Sequence, residues 1–377
     1  YCDRQRTHKN NAMTCDIDNN LTIILVLKDR VEFTYRWMEY VNSIKLPFKV
    51  IIVDGGADKV VEKHLLDYKN YSDVDYQYYR YPYDATYLDY YTKLASAFTH
   101  VTTDYVALAD NDDFFVINGL RKSVDFLMKN PDYASCGGEV GGLFFNNKEY
   151  FEFGISAHIQ SDNNNESAIA RVERHLNCYN VTHYDVHRTE QLRMYFNELK
   201  DLNPSDLFIS EILTSSLVVA SGKVKKNKYL YLIRQNNSPG SGAASIQARN
   251  NYFGRMFTSS WSKDFISLSA SIVNAISKNE ATKENVTSIV NTAYKAFLLK
   301  NIHSDVLKNV SFIKRAVAKY ILKSEFLCQG MLMKVFLRKI YSIFCRVKYK
   351  NGKVIKLGKL LWFYSDVAPV AKILRKF

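Results

Sequence analysis

The sequence lacks the features that define several large classes of protein. Its six cysteines form no C-x-x-C pair and no metal-finger spacing, so a reducing, cytosolic setting is expected. No apolar run reaches the roughly 18 residues that a membrane-spanning helix needs. No charged and then apolar stretch at its start indicates a signal peptide, and no internal repeat or low-complexity segment is visible. A phosphate-cradling G-x-x-x-x-G-K-[ST] loop and a Ser-His-Asp or Cys-His pattern are also missing, which argues against P-loop and serine- or cysteine-dependent chemistry.

The chain is long enough for two domains. It has 377 residues, of which 47% are hydrophobic and 24% charged, and a domain typically takes roughly 100–200 residues. Aromatic residues make up 14% of the sequence. That share suits surfaces that stack on sugars or bases, although a tyrosine-rich core explains it equally well.

Short apolar runs alternate with helical patterns in the first part of the chain. Residues 21–27 and 49–54 read as buried strands, with an amphipathic helix at 30–43 between them, and 104–110 is a third strong strand. This rhythm predicts an α/β fold with a doubly wound, mostly parallel sheet flanked by helices. Ligands of such sheets bind beyond the carboxyl ends of the strands.

Beyond about residue 250 the pattern changes to helices with almost no glycine. We expect these helices at 261–279, 282–300, 304–323 and 328–345. The predicted organisation is an N-terminal extension over 1–20 (in part an expression remnant), an α/β domain over 21–250, and a basic, all-α region over 251–377.

Positive charge is concentrated in the last part of the chain. From residue 301 onward, 17 Lys and Arg side chains stand against Asp305, Glu325 and Asp366. Residues 353–377 interleave lysines with Leu, Trp and Phe, as interfacial segments on anionic membranes do. We therefore expect a cytoplasmic protein, peripheral to the inner face of the cell membrane. A partner protein on the basic face is the alternative, whereas no RNA- or DNA-reading motif supports nucleic acid.

An acidic cluster follows the third strand. Residues 110–113 read Asp-Asn-Asp-Asp, and carboxylates crowded at the end of a buried strand repel one another. A hard divalent cation with oxygen ligands relieves that repulsion and could bridge the phosphates of a nucleoside diphosphate. A single Asp would suffice as a helix N-cap, so the cluster indicates a metal site.

With these features in order, the chain resembles family 2 glycosyltransferases of the GT-A fold, particularly bacterial members that build surface polysaccharides. The resemblance covers residues 20–245 and rests on LTIILVLKDR (21–30), KVIIVDGGAD (49–58), TDYVALADNDD (103–113), YDVHRTEQL (184–192), SEILTSSLVVASGKV (210–224) and YLIRQNNS (231–238). It implies inverting, Mn²⁺- or Mg²⁺-dependent transfer of a hexose from a nucleotide-sugar donor, UDP above all. The implied acceptor is a glycan or a lipid-linked glycan.

The resemblance also implies roles for individual residues. Donor contacts fall on Leu27, Lys28, Arg30, Asp54, Lys93, Asp110, Asn111 and Arg234. The metal is expected at Asp112 and Asp110, with Asp113 on the acceptor side. His187 and Arg188 stand in a strand-like stretch before the helix of the base, and this position alone makes them candidates for acceptor contacts.

The catalytic base is expected on the helix that precedes Gly222 and Lys223. Glu211 lies at the family's spacing before that pair, and Asp206 is the alternative, although it could simply cap the helix. The chain departs from the family at Ser210, where an acidic residue is usual, and at Asn236, where a histidine often ligates the metal. These departures leave open a non-catalytic scaffold that binds a nucleotide or glycan. A phosphoryl-transferring enzyme is a third possibility.

Overall fold

The computed structural model describes residues 16–147, 150–155, 160–236, 258–277, 283–308, 347–350, 353–357 and 364–374. The helix predicted at 328–345 and most of the one predicted at 304–323 lie outside these ranges.

The first part of the chain alternates strands and helices as the sequence predicts. Its elements are β1 (Leu21–Leu27), α1 (Val31–Ser43), β2 (Lys49–Asp54), α2 (Val60–Leu66), β3 (Tyr76–Arg80), α3 (Tyr87–Ala97) and β4 (Tyr105–Asp110). Strand β1 pairs in parallel with β2 on one side and with β4 on the other, and β2 pairs in parallel with β3. Strands β1, β2 and β4 are almost entirely buried because helices cover both faces of a parallel sheet, whereas β3 is mostly half-buried.

The chain then adds strands that run both ways. The elements are β5 (Asp113–Phe115), α4 (Ile117–Lys129), β6 (Tyr133–Asn147), β7 (Tyr150–Ile155), α5 (Ala168–Asn177), β8 (Val186–Arg188), α6 (Thr189–Leu202), α7 (Leu207–Ser221) and β9 (Lys223–Gln235). Strand β8 joins the two halves because it is antiparallel to both β4 and β6. The result is one curled, mostly parallel sheet, which confirms the predicted fold class.

The described residues of the last part of the chain form three helices and one hairpin. Its helices are α8 (Trp261–Ser277), α9 (Lys283–Lys308) and α10 (Tyr364–Ile373), and its strands are β10 (Val347–Lys350) and β11 (Lys353–Leu357). The hairpin extends the sheet through β7. We did not predict it, although Asn351-Gly352 between alternating lysines and apolar residues is a hairpin signal. The segment predicted to lie on a membrane therefore begins as a sheet strand.

Two regions outside the predicted α/β domain contribute to its hydrophobic core. Trp261, Ile272 and Tyr294 of α8 and α9 belong to the same buried cluster as Ile24 of β1. At the other end of the chain, Ile17 lies in the second buried cluster, within the predicted extension. No helix among the described residues is long and apolar enough to cross a membrane.

Candidate functional site

Three neighbouring strands end at the same edge of the sheet. In the parallel register, Leu27 of β1 lies opposite Asp54 of β2, and Val26 lies opposite Asp110 of β4. The polar groups that follow these strands therefore meet at the carboxyl edge, where α/β sheets bind ligands.

The acidic cluster stands at this edge. Asp110, Asp112 and Asp113 each place a carboxylate oxygen within 4.8 Å of the others. Asp112 and Asp113 are buried, so these oxygens lie close together with little water between them. Clustered, partly desolvated carboxylate oxygens suit a hard divalent cation such as Mg²⁺ or Mn²⁺. The donor set therefore fits the metal that the sequence predicts.

Each of the three carboxylates also has a protein partner. Arg30 Nη2 donates to Asp112 Oδ2 over 3.1 Å, and Tyr184 donates its hydroxyl hydrogen to Asp110 Oδ2 over 2.6 Å. Arg234 Nε donates to Asp113 Oδ2 over 2.9 Å. These partners hold the carboxylates in place and offset part of their mutual repulsion.

Arg30 reaches Asp112 from a loop with unusual backbone geometry. Asp29 and Arg30 both adopt the left-handed conformation, with φ of 55° and 59°, which ordinarily costs about 1–3 kcal/mol for a residue other than glycine. Asp29 Oδ1 offsets part of that cost by accepting a hydrogen bond from Ala57 N over 2.8 Å. The strained turn places the Arg30 guanidinium directly over the acidic cluster.

Asp113 is protonated far more readily than an ordinary aspartate. Burial, added to by the charges of Asp112 and Asp110 and opposed by Arg234, raises its pKa to about 7. At this carboxyl the folded chain therefore binds more protons than the unfolded chain between about pH 4 and 7, so the contribution of Asp113 to stability falls as the pH rises. His175 and His187, whose pKa burial lowers to about 3, contribute with the opposite sign over part of the same range. The effect of Asp113 is therefore expected as a difference between the metal-free wild type and a variant, measured by urea unfolding in EDTA.

Replacing Asp113 with asparagine tests that pH dependence. The free energy of unfolding of the wild type relative to Asp113→Asn should fall as the pH rises from about 5 to about 7. A difference that stays constant over this range would contradict the raised pKa of Asp113.

The end of β2 forms a second polar group. Asp54 Oδ1 accepts from Gly56 N over 2.7 Å, and its Oδ2 accepts from Tyr78 over 2.7 Å and from Arg80 Nη1 over 2.9 Å. The sequence predicted Asp54 at this position but not Arg80, which comes from the end of β3. Asp54 therefore orients a guanidinium and a phenol at the carboxyl edge of the sheet.

Lys93 lies in the floor of the site. Its ammonium donates to Leu27 O over 2.8 Å and forms an ion pair with Asp84, and both side chains are buried. Burial lowers the pKa of Lys93 and raises that of Asp84. Lys28, by contrast, is exposed, and donates to Asp84 O over 2.6 Å. Lys93 thus supports the loop after β1, and Lys28 is the lysine that a ligand can reach.

The buried ion pair between Lys93 and Asp84 leaves no room for a side chain at Gly55. A Cβ at position 55 would lie 2.3 Å from Asp84 Oδ1 and 2.5 Å from its Cγ, and Lys93 holds that carboxylate. We expect Gly55→Ala to destabilise the fold by about 1–3 kcal/mol, the usual cost of overpacking, in urea unfolding. Ala57→Ser, at an exposed position nearby, should change stability by less than about 0.5 kcal/mol. Equal stability of the two variants would contradict the expected clash.

Asn111 and Arg234 connect the site to its scaffold. The Asn111 amide donates to Thr34 Oγ1 over 3.1 Å, so it braces α1 against the end of β4. Arg234 Nη2 donates to Tyr184 over 3.2 Å, and its guanidinium lies 4.5 Å from the centroid of that ring. Residues 237–257, which follow β9, are outside the described ranges.

Glu211 lies in the first turns of α7. Its Oε1 accepts a hydrogen bond from Tyr179 over 2.7 Å. Burial and the charges of Asp110 and Glu211 all raise the pKa of Tyr90. Burial lowers the pKa of His183, and the same two charges oppose that shift. The charges of Glu211 and Asp110 therefore both affect the pKa of Tyr90 and the pKa of His183.

Asp206 has a different position at the start of α7. Its Oδ1 accepts from Phe208 N over 2.8 Å, which makes it the helix N-cap. Its charge adds to the effect of burial in raising the pKa of Tyr91 and of Tyr294.

The structure does not bring His187 and Arg188 to the site, and this corrects their predicted acceptor contacts. Strand β8 pairs with the beginning of β4, with Arg188 opposite Tyr105. That position is roughly 16 Å along the strand from Asp110. His187 is buried and bonded to Thr182 O, while Arg188 donates to the carbonyls of Tyr133, Leu127 and Asn130. Both side chains stabilise the fold.

No protein-family model and no curated protein sequence matches the chain. Solved structures do. S. aureus TarS 1-349 in complex with UDP-GlcNAc is similar over 78% of this chain and 77% of that chain, with a TM-score of 0.50 at 11% sequence identity. The complex of the same protein with UDP gives the same values. The mannosyltransferase PcManGT from Pyrobaculum calidifontis, in complex with GDP-Man and Mn²⁺, is more distant, with a TM-score of 0.40 at 11% identity.

The structural neighbours are glycosyltransferases. At 11% identity, the likeness to S. aureus TarS establishes the fold that the chains share. The chain thus combines this fold with an acidic cluster that could hold a metal ion.

Proposed function

We propose that the chain is a metal-dependent, inverting glycosyltransferase of the GT-A, family 2 type. It would move a hexose from a nucleoside-diphosphate donor, UDP above all, to a hydroxyl group of a glycan or lipid-linked glycan. The observation that carries the proposal is the acidic cluster at the carboxyl edge of the sheet. The TarS structures with UDP-GlcNAc and UDP agree with it in fold.

The donor would lie along the edge formed by β1, β2 and β4. Asp110 and Asp112 would hold Mn²⁺ or Mg²⁺, which when bound neutralises charge on a diphosphate leaving group. Asp54, with Arg80 and Tyr78, offers both acceptors and donors for the nucleoside. Lys28 and Arg30, in the loop after β1, supply positive charge on the phosphate side. Arg30 would exchange its bond to Asp112 for a phosphate oxygen.

Glu211 would act as general base. An acceptor hydroxyl loses its proton to the Glu211 carboxylate as its oxygen bonds to the anomeric carbon. The bond from that carbon to the diphosphate oxygen breaks on the opposite face, so the configuration inverts. Asp113, buried and paired with Arg234, would hold the far side of the cluster and contact the sugar.

The positive charge of the C-terminal region favours the hypothesis that the acceptor is attached to a membrane. Its lysines and arginines suit the anionic headgroups of a cytoplasmic leaflet. Enzymes that extend lipid-linked glycans work at such a surface, which places the protein at the inner face of the cell membrane in this proposal.

A thermal-shift screen tests the donor site. UDP, GDP, CDP and their sugar conjugates are compared with and without Mn²⁺ or Mg²⁺. We expect one nucleoside diphosphate to raise Tm only when metal is present, since ligands that bind the folded state alone stabilise it. Donor binding without release of nucleoside diphosphate would favour the non-catalytic scaffold. A product that retains phosphorus would favour phosphoryl transfer, and the absence of any shift would contradict the donor site.

A further inference from the structure

Tyr179 is the polar partner of the proposed base. It lies just after α5, and its hydroxyl donates to Glu211 Oε1 over 2.7 Å. Among the described residues, no hydrogen bond to Oε2 of Glu211 is present. One carboxylate oxygen is thus fixed by Tyr179, while the other is left to accept a proton.

Tyr179 is itself held from two sides. Its ring centroid lies 5.0 Å from that of His175 in α5 and 5.6 Å from that of Phe297 in α9. Its hydroxyl lies 3.5 Å from Ser215 Oγ, and Ser215 in turn lies 3.1 Å from His175 Nε2. Burial lowers the pKa of His175 to about 3, so its ring is neutral and serves as a fixed hydrogen-bonding partner.

These contacts join the C-terminal region to the active site. Helix α9 supplies Phe297, which packs on Tyr179 and also stacks with Phe208 of α7. Lys300 of the same helix donates to Asn177 O at the end of α5 over 2.9 Å. Helix α9 therefore fixes the segment between α5 and the tyrosine that contacts Glu211.

We propose that Tyr179 is a positioning residue for the general base Glu211, and that α9 holds Tyr179 in place through Phe297. This inference rests on the proposed glycosyltransferase function. A hydrogen bond donated to a carboxylate favours its charged form, and a fixed oxygen points the other one at the acceptor. The C-terminal helices would then complete the active site in addition to any part they play at a membrane.

The test compares two tyrosine-to-phenylalanine variants in the full-length protein. Tyr179→Phe keeps the ring between His175 and Phe297 but removes the donor to Glu211. Tyr195→Phe is the matched control, because the Tyr195 hydroxyl also bonds to α7, at Leu217 O over 3.2 Å, but to a backbone carbonyl. The assay is release of nucleoside diphosphate from the UDP- or GDP-sugar that the wild type turns over, measured as kcat and as a pH profile of kcat/KM.

We expect Tyr179→Phe to lower kcat about tenfold, the scale of one hydrogen bond to a charged group. The acidic limb of its kcat/KM–pH profile should move up by about one pH unit, because the Glu211 carboxylate loses a hydrogen-bond donor. KM for the donor should stay unchanged, and so should both quantities in Tyr195→Phe. Phe297→Leu, which loosens the ring without touching Glu211, should shift the limb in the same direction and by less.

The outcomes separate the two proposals. If the wild type is active and Tyr179→Phe matches Tyr195→Phe in kcat and in pH profile, the positioning role alone is overturned. A wild type that releases no nucleoside diphosphate from any nucleotide sugar overturns the proposed function and the positioning role together. Should Tyr179→Phe fail to fold, an unshifted acidic limb in Phe297→Leu would still overturn the inference.

Discussion

Replacing Asp112 with asparagine should reduce turnover of the nucleotide sugar by roughly 10²–10³-fold, the scale of losing one charge-stabilising group in a preorganised site. Asp112 is buried and shares the cluster with Asp110 and Asp113. An asparagine there keeps one oxygen but no negative charge, so a divalent cation binds more weakly. The measurement is nucleoside-diphosphate release as a function of Mn²⁺ or Mg²⁺ concentration, where the metal requirement should move to higher concentrations.

The control for that experiment is an aspartate whose partner lies far from the cluster. Asp73 pairs with Lys45 across 3.4 Å on the surface, so Asp73→Asn should leave turnover and metal dependence unchanged. Asp112→Asn also removes the negative charge that pairs with Arg30, and melting curves of the metal-free variants show whether the fold is intact. Full turnover in a well-folded Asp112→Asn variant would mean that the cluster holds no catalytic metal.

Local sequence patterns were sufficient to predict the sheet that carries the site. The apolar runs at 21–27, 49–54 and 104–110 are continuous because strands buried on both faces need no alternation. The acidic residues directly after them are fixed in space once the strands are parallel and in register. Asp54 and Asp110 could therefore be placed together from the sequence alone.

Residues that reach the site from distant segments could not be predicted in this way. Tyr184 and Tyr179 have no spacing that links them to Asp110 or Glu211, and their contacts arise only when β8 and α5 pack beside β4 and α7. Arg80 was missed because nothing in the sequence specifies that β3 lies next to β2. We expected acceptor contacts from His187 and Arg188 because they are polar residues within the matching segment 184–192. In the structure, β8 pairs with the end of β4 that lies far from Asp110.

Glu211→Gln should lower kcat by about 10²–10⁴-fold, the range for loss of a general acid–base group. Glutamine keeps the size of the side chain and can still accept a hydrogen bond from Tyr179 through its carbonyl oxygen, but it cannot take a proton. Donor binding, measured by calorimetry with UDP and metal, should be retained because Glu211 is not among the groups at the ends of β1, β2 and β4. The loss should therefore fall on kcat, with KM for the donor little changed.

Asp206→Asn is the comparison that decides between the two candidate bases. Asparagine caps a helix about as well as aspartate, so this change preserves the bond to Phe208 N while removing the carboxylate. We expect near-normal turnover and stability from Asp206→Asn beside an inactive Glu211→Gln. The reverse pattern would move the base to Asp206 and would require the acceptor to approach from the side of Tyr91 and Tyr294. Full activity in both variants would leave no carboxylate on α7 as the base, and transfer would then have to use another group near the acidic cluster.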